Sequence, residues 1–181
     1  MTNPSKKPKG SSYERAIKIL ARRPHSTAEV KQKLLDKGYD WQDVRTTIER
    51  LVRLRFLDDR SFASQWVRYR AESSKWGRQR IEGDLKSKKV HSQFIEEAFD
   101  DYYEEADSDW QEKANALLLQ KYGPWDFMLD DAVEESETWP ERQDAMKALQ
   151  KATAKRINFL LRRGFSSEQA QKALAYTKGA P

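Results

Sequence analysis

Apolar positions in this chain recur at helical spacing, in short bouts separated by turn residues. Ala16, Ile17, Leu20 and Ala21 share one face and predict an amphipathic helix from Tyr13, which Pro24 stops. Ser26-Thr27-Ala28-Glu29 has the spacing of a capping box, so a second helix opens here, carries Val30, Leu34 and Leu35, and ends at Gly38. A third follows with Val44 and Ile48. The next bout starts with Asp58 or Asp59 as N-cap, runs through Phe62, Ala63, Trp66, Val67 and Tyr69, and breaks near Trp76-Gly77. It continues in a helix with Ile81 and Leu85 and another with Ile95, Ala98, Phe99 and Tyr102. The last bout begins near Ser108 with Trp110, Ala114, Leu117, Leu118 and Tyr122, and resumes with Ala154–Leu161 and Ser166–Tyr176.

One segment occurs three times. Lys37-Gly38-Tyr39-Asp40 precedes Val44 and Ile48; Lys88-Lys89-Val90-His91 precedes Ile95 and Phe99; Arg163-Gly164-Phe165-Ser166 precedes Ala170 and Leu174. In each, the apolar residue closing the turn is followed by others at +5 and +9. With Asp40, His91 and Ser166 as N-caps, the pairs Tyr39/Val44, Val90/Ile95 and Phe165/Ala170 are hydrophobic staples that set the entry angle of the last helix. Ser166 with Gln169 adds another capping box. Lys89 stands where the other copies have glycine, and a left-handed non-glycine residue costs about 1–2 kcal/mol, so a differently shaped middle turn is expected.

Repetition of this kind predicts an all-α fold, an elongated tandem array of three three-helix repeats that resemble helix-turn-helix units. The divisions are a disordered basic tail over 1–12, then repeats over 13–57, 58–106 and 107–181. The last contains an acidic insertion at about 123–141, whose Trp125, Phe127, Met128 and Trp139 suggest a short packed helix.

Charge sharpens the picture. Of the 181 residues 38% are hydrophobic and 35% charged, which implies thin cores and much surface. The net charge of +5 conceals a division: 1–90 carry 23 Lys+Arg against 11 Asp+Glu, 91–141 carry 2 against 16, and 142–181 carry 9 against 2. Two basic blocks flanking an acidic one favour electrostatic partners; charge segregated on solvated helix faces is the plainer reading. Cysteine is absent, which excludes disulfides and thiolate metal sites. There is no apolar run long enough for a bilayer and no secretory h-region, so a cytoplasmic protein without membrane contact is expected.

Signals for catalysis are weak. His25 and His91 lack metal-ligand spacing, and Asp58-Asp59 reads as helix capping. A basic cluster is more informative. Arg68, Arg70, Lys75, Arg78, Arg80, Lys86, Lys88 and Lys89 crowd the second repeat, interleaved with Trp66, Tyr69 and Trp76. Such cations neutralise phosphates, and aromatics among them stack on single-stranded bases. Trp66 and Tyr69 follow Phe62 at helical spacing and are expected in the core, leaving Trp76 with the cations as the candidate binding set. Arg22, Arg23, Arg53 and Arg55 form a secondary basic group. Small helical trios also suggest an autonomous DNA reader in transcription or nucleoid organisation, although Glu96 and Glu97 in the second repeat's last helix would repel phosphate.

Leu57-Asp58-Asp59-Arg60-Ser61-Phe62-Ala63, then Val67 and Arg70, resembles the LDDxxFAxxxVxxR signature of the bacterial RecX regulatory family. Gly77-Arg78-Gln79-Arg80-Ile81 with Leu85, Lys88 and Val90 is similar to its GxxxIxxxLxxKGV stretch. Ala16-x-x-x-Leu20-Ala21-Arg22-Arg23, Leu34-Leu35-x-Lys37-Gly38 and Leu160-Leu161-Arg162-Arg163-Gly164-Phe165 fit too, so the resemblance spans about 13–176. Lys89 and the acidic insertion depart from the pattern. The resemblance implies a three-helix-repeat protein that engages the groove of RecA recombinase filaments on single-stranded DNA. It would restrain filament growth, ATP hydrolysis and strand exchange as a monomer, without cofactor or catalysis of its own.

Overall fold

Helices form where the capping signals stand. In the computed structural model, which describes residues 10–106 and 109–179, ten α-helices and no strands are present among the described residues. They are α1 (Ser12–Leu20), α2 (Thr27–Asp36), α3 (Trp41–Arg53), α4 (Asp59–Glu72) and α5 (Arg78–Ser87). The others are α6 (Ser92–Ala106), α7 (Trp110–Tyr122), α8 (Met128–Glu134), α9 (Trp139–Arg163) and α10 (Ser167–Gly179). The chain divides into two units, Met1–Arg68 with Glu82–Glu104, and Tyr69–Ile81 with Glu105–Pro181.

The thrice-repeated turn closes identically each time. Tyr39 N donates to Leu34 O (3.3 Å), Val90 N to Leu85 O (3.2 Å) and Phe165 N to Leu160 O (3.2 Å), the long bond of a Schellman motif. The shorter bonds match as well: Gly38 N to Leu35 O, Lys89 N to Lys86 O, and Gly164 N to Leu161 O, at 2.8–2.9 Å. Lys89 takes φ +58°, beside +83° for Gly38 and +88° for Gly164. The middle turn is therefore shaped like its siblings despite lacking glycine, contrary to the sequence expectation. All three staple pairs are buried, and burying each large apolar partner stabilises by roughly 1.5–3 kcal/mol.

In the first unit, α1, α2 and α3 pack mutually around Ala16, Val30, Leu34, Tyr39, Val44, Leu51 and Leu57. Ser12 Oγ lies 2.7 Å from Thr47 Oγ1, a buried hydroxyl pair tying α1 to α3. In the second unit, α7, α9 and α10 form the corresponding trio around Trp110, Ala114, Leu118, Leu160, Phe165 and Ala170. The Trp110 and Phe165 rings meet edge-on at 6.4 Å.

Trios are joined through helix ends. In the first unit the carbonyl of Lys88, just past α5, accepts from Ser26 Oγ (2.8 Å) at the N-terminus of α2, and Asp59 Oδ1 accepts from Thr27 N (2.8 Å). Asp58 caps its own helix through Arg60 N and Ser61 N, both 3.1 Å from Oδ1. The acidic pair thus serves two helix N-termini, as capping predicts. In the second unit the C-terminal carbonyls of α9 meet the N-terminus of α5: Gly77 N donates to Arg163 O (2.7 Å) and Gln79 N to Gly164 O (3.1 Å). Arg80 Nη1 donates to Arg162 O (3.0 Å), and Arg163 Nη1 returns to Ser74 O (2.9 Å).

Three further expectations change. Tyr69 is 55% exposed, because the buried arc of α4 runs through Ala63, Val67 and Ala71 and passes it by. The acidic insertion does contain α8, but Phe127, Met128 and Trp139 are exposed and only Trp125 is buried. Trp125 N donates to Thr177 O (3.0 Å), its indole donates to Asp130, and Arg156 and Lys178 lie over its ring. Finally, α9 begins at Trp139, far ahead of Ala154: Thr138 and Glu141 form a capping box with Pro140 in the first turn. The expected basic tail falls mainly outside the described residues; α1 begins at Ser12 with Ser11 as its cap.

A β-carbon on Gly77 would sit 2.4 Å from Gly164 O, and one on Gly164 2.3 Å from Arg80 Cβ, whereas Gly38 has open space around it. Gly38→Ala should cost about 1–2 kcal/mol, the left-handed penalty alone. Gly164→Ala should cost about 1–3 kcal/mol more through the clash. Equal losses in denaturant unfolding would show that the α9–α5 joint is loose.

Candidate nucleic-acid interface

The nine candidate residues are divided by the chain's two units. Arg68, Lys86, Lys88 and Lys89 belong to the first; Arg70, Lys75, Trp76, Arg78 and Arg80 belong to the second. In the second unit the α4–α5 turn gathers most of its share. Trp76 is half-buried, with the guanidinium of Arg80 4.0 Å and that of Arg70 4.3 Å from its ring centroid. A base can stack on Trp76 only by displacing a guanidinium. Lys75, beside it, is exposed and lines a small cavity of about 110 Å³ with Lys113, Gln120 and Phe165. Arg78 stands in the first turn of α5.

Charges in the first unit differ in what the fold asks of them. Lys88 is committed: its Nζ lies 3.5 Å from Asp84 and 3.7 Å from Glu29, its side chain is 16% exposed, and it sits 4.9 Å from the Trp66 ring centroid. Trp66 is held by Phe62, stacked at 5.3 Å, and by its indole bond to Asp84 (2.9 Å). Lys86 pairs with Glu82 one turn back on α5. Arg68 and Lys89 are exposed.

The secondary group lines two grooves of the first unit. Arg22, Arg23 and Arg55 border an open groove of about 650 Å³ floored by Leu20, Phe56 and Phe62. Arg53 and Arg55 border another of about 590 Å³ with Val52 and Phe94. Arg23 is spent on Glu29 (3.1 Å) and Pro24 O (2.9 Å). Phe56 is 55% exposed and Val52 and Leu54 nearly as much, so arginines alternate with exposed apolar side chains along Val52-Arg53-Leu54-Arg55-Phe56. The sequence marks Arg53 and Arg55 as basic; the exposed apolar residues between them are what its reading leaves out, although their alternation beyond the helical face of α3 is the available signal.

Apart from glycines, positive φ occurs among the described residues only at Arg55 (+60°), Lys75 (+54°) and Lys89 (+58°), each just past a helix C-terminus. The conformation costs about 1–2 kcal/mol in a non-glycine residue, and a cation near a helix C-terminus regains about 0.3–1 kcal/mol. Each position is thus less stable than glycine would be.

Two titratable groups sit by the N-terminus of α2. Burial, the leading cause, lowers His25 below its usual 6.5, although its Nδ1 meets Arg23 O. Burial would by itself raise Glu29, but hydrogen bonds from Arg23 and Ser26 and the charge of Lys88 outweigh it and hold the carboxyl below its ordinary 4.5.

The fold defines a helical-repeat protein, and each of its two units carries exposed cations. Family models described as the first, second and third three-helix domains of RecX match residues 13–51, 58–98 and 142–174. A regulatory protein RecX of Vibrio vulnificus is 32% identical over 168 residues, 93% of this chain and 94% of that one. A RecX of Halorhodospira halophila is 31% identical, covering 88% of this chain and 84% of its own. The crystal structure of RecX from Lactobacillus salivarius shares the fold, with a TM-score of 0.64 at 18% identity over 93% of this chain and 96% of that one. The chain belongs to the RecX family of regulatory proteins. No helix among the described residues is long and apolar enough to cross a membrane.

The shifts fix the sign of acid sensitivity. Below pH 6.5 the unfolded chain binds a proton at His25 that the folded one resists, so stability falls as pH drops toward the lowered folded value. Glu29 stabilises above its unfolded value, and that stability is lost as pH falls through its lower folded value. Glu29→Gln should flatten the unfolding free energy between about pH 5 and pH 3; an unaltered acid limb in urea titrations would contradict the assignment.

Proposed function

We propose that this chain binds RecA recombinase filaments on single-stranded DNA and slows their growth, ATP hydrolysis and strand exchange, as a monomeric cytoplasmic regulator in recombination and repair. Membership of a regulatory family over nearly the whole length, with its three domains in order, carries the reading. Exposed cations on both units support it: Arg53, Arg55, Arg68 and Lys89 in the first, Lys75 and Arg80 in the second. They suit a phosphate backbone and weaken with salt. Base readout by the second repeat's last helix is disfavoured, since α6 carries Glu96, Glu97, Asp100, Asp101 and Glu104 and no basic residue.

The test is RecA turnover on single strands during titration with the purified protein. ATP hydrolysis should fall several-fold at saturation, and filaments seen by electron microscopy should shorten. Unchanged turnover and length would sink the reading. Tight binding to one duplex sequence in place of filaments would favour the autonomous DNA reader.

A further inference from the structure

We infer that Arg55, Lys75 and Lys89, the cations held at positive φ just past helix C-termini, are contacts for the phosphates of single-stranded nucleic acid, kept there against the fold's own preference for glycine. The inference rests on the nucleic-acid part of the proposed function and narrows it to three side chains.

Gly38 and Gly164 supply glycine at left-handed positions past their helices. Arg55 and Lys89 sit in turns closed by the same pair of bonds, and Lys75 stands three residues past α4 in a turn closed by Trp76 N to Arg70 O. At the other three stands Lys or Arg, although these make up only 34 of the 181 residues and asparagine tolerates the conformation better. All three side chains are exposed. Arg55 Nη1 lies 3.5 Å from Asp58 Oδ2, but Arg55 is 85% exposed, so solvent screens the pair. The side chains of Lys75 and Lys89 have no hydrogen bond, ion pair or ring contact among the described residues.

These cations therefore do little for the chain that holds them, while the backbone beneath them is strained. Strain that the fold does not use points to a ligand. The neighbours fit a single strand: exposed Phe56 follows Arg55, half-buried Trp76 follows Lys75, Arg55 borders an open groove, and Lys75 lines a small cavity. Each cation would displace counterions from one phosphate.

The test compares three forms of the full chain: unsubstituted, Arg55→Gly/Lys75→Gly/Lys89→Gly, and a charge-matched Lys18→Ala/Lys31→Ala/Lys33→Ala. Binding to a fluorescent oligothymidylate is followed by anisotropy across a salt series, alongside thermal unfolding. The glycine form should melt about 2–4 °C higher while its log–log salt slope shrinks by about 2, at about 0.7 per cation. The charge-matched form should keep the slope. Equal slope losses in both triples would reduce the effect to net charge and overturn the inference. So would an unchanged slope in the glycine form, or a lower melting temperature, which would make the cations structural caps. If the unsubstituted protein binds no oligothymidylate at low salt, the nucleic-acid part of the proposed function fails and this inference with it.

Discussion

Every helix leaves carbonyls without partners at its C-terminus and amides without partners at its N-terminus. This protein brings such ends together, pairing carbonyl with amide at the α9–α5 joint and carbonyl with a capping hydroxyl at the α5–α2 joint. The end of α5 is received at the N-terminus of α2 through Ser26, and the end of α9 at the N-terminus of α5 through Gly77 and Gln79. Opposite ends of the helix dipoles meet in both joints, which adds to the hydrogen bonds. The backbones come so close at Gly77 and Gly164 that no side chain fits at either. Trios with thin cores gain from such joints what a single large core would supply elsewhere, and with 38% hydrophobic residues no large core is available.

The joints also sort the charges. Arg163 reaches Ser74, Arg80 reaches Arg162, and Lys88 is enclosed by Glu29 and Asp84. These cations belong in part to the architecture, so a basic residue in the sequence is not automatically a ligand contact. The acidic insertion shows the same economy in reverse. Asp130 binds the Trp125 indole and Lys178, and so helps fix the insertion to its own repeat, while Phe127, Met128 and Trp139 remain in solvent. Its remaining carboxylates are exposed, Asp131 and Glu134 on α8, Glu141 in the first turn of α9, and Asp126, Glu135 and Glu137 outside both helices.

Much of the fold was legible because its signals are local. Ser26 with Glu29, Ser166 with Gln169, and the three staples act within one helical turn, where spacing along the chain equals proximity in space. The start of α9 was equally local, in Thr138, Pro140 and Glu141, and was overlooked amid acidic composition. Tyr69 was misplaced because a seven-residue spacing from Phe62 locates a helical face only within a broad arc, and neighbouring helices decide which part is covered. Phe127 and Met128 were misplaced because apolar character was read as burial, although α8 packs against α9 alone among the contacts of any extent.

By itself, the order of residues determined the helices, their caps, the threefold recurrence and the segregation of charge, since each depends on neighbours a few positions away. Tertiary structure alone decided which cations stay in water and which are enclosed. Lys88 and Lys89 are adjacent and chemically alike, yet one lies between two carboxylates contributed by α2 and α5 while the other stands exposed on a left-handed turn. The Asp84 carboxylate four residues before Lys88 is a local signal, but the second partner, Glu29, lies 59 positions away along the chain. Electrostatic fate is set by distance in space, and only packing brings those groups together.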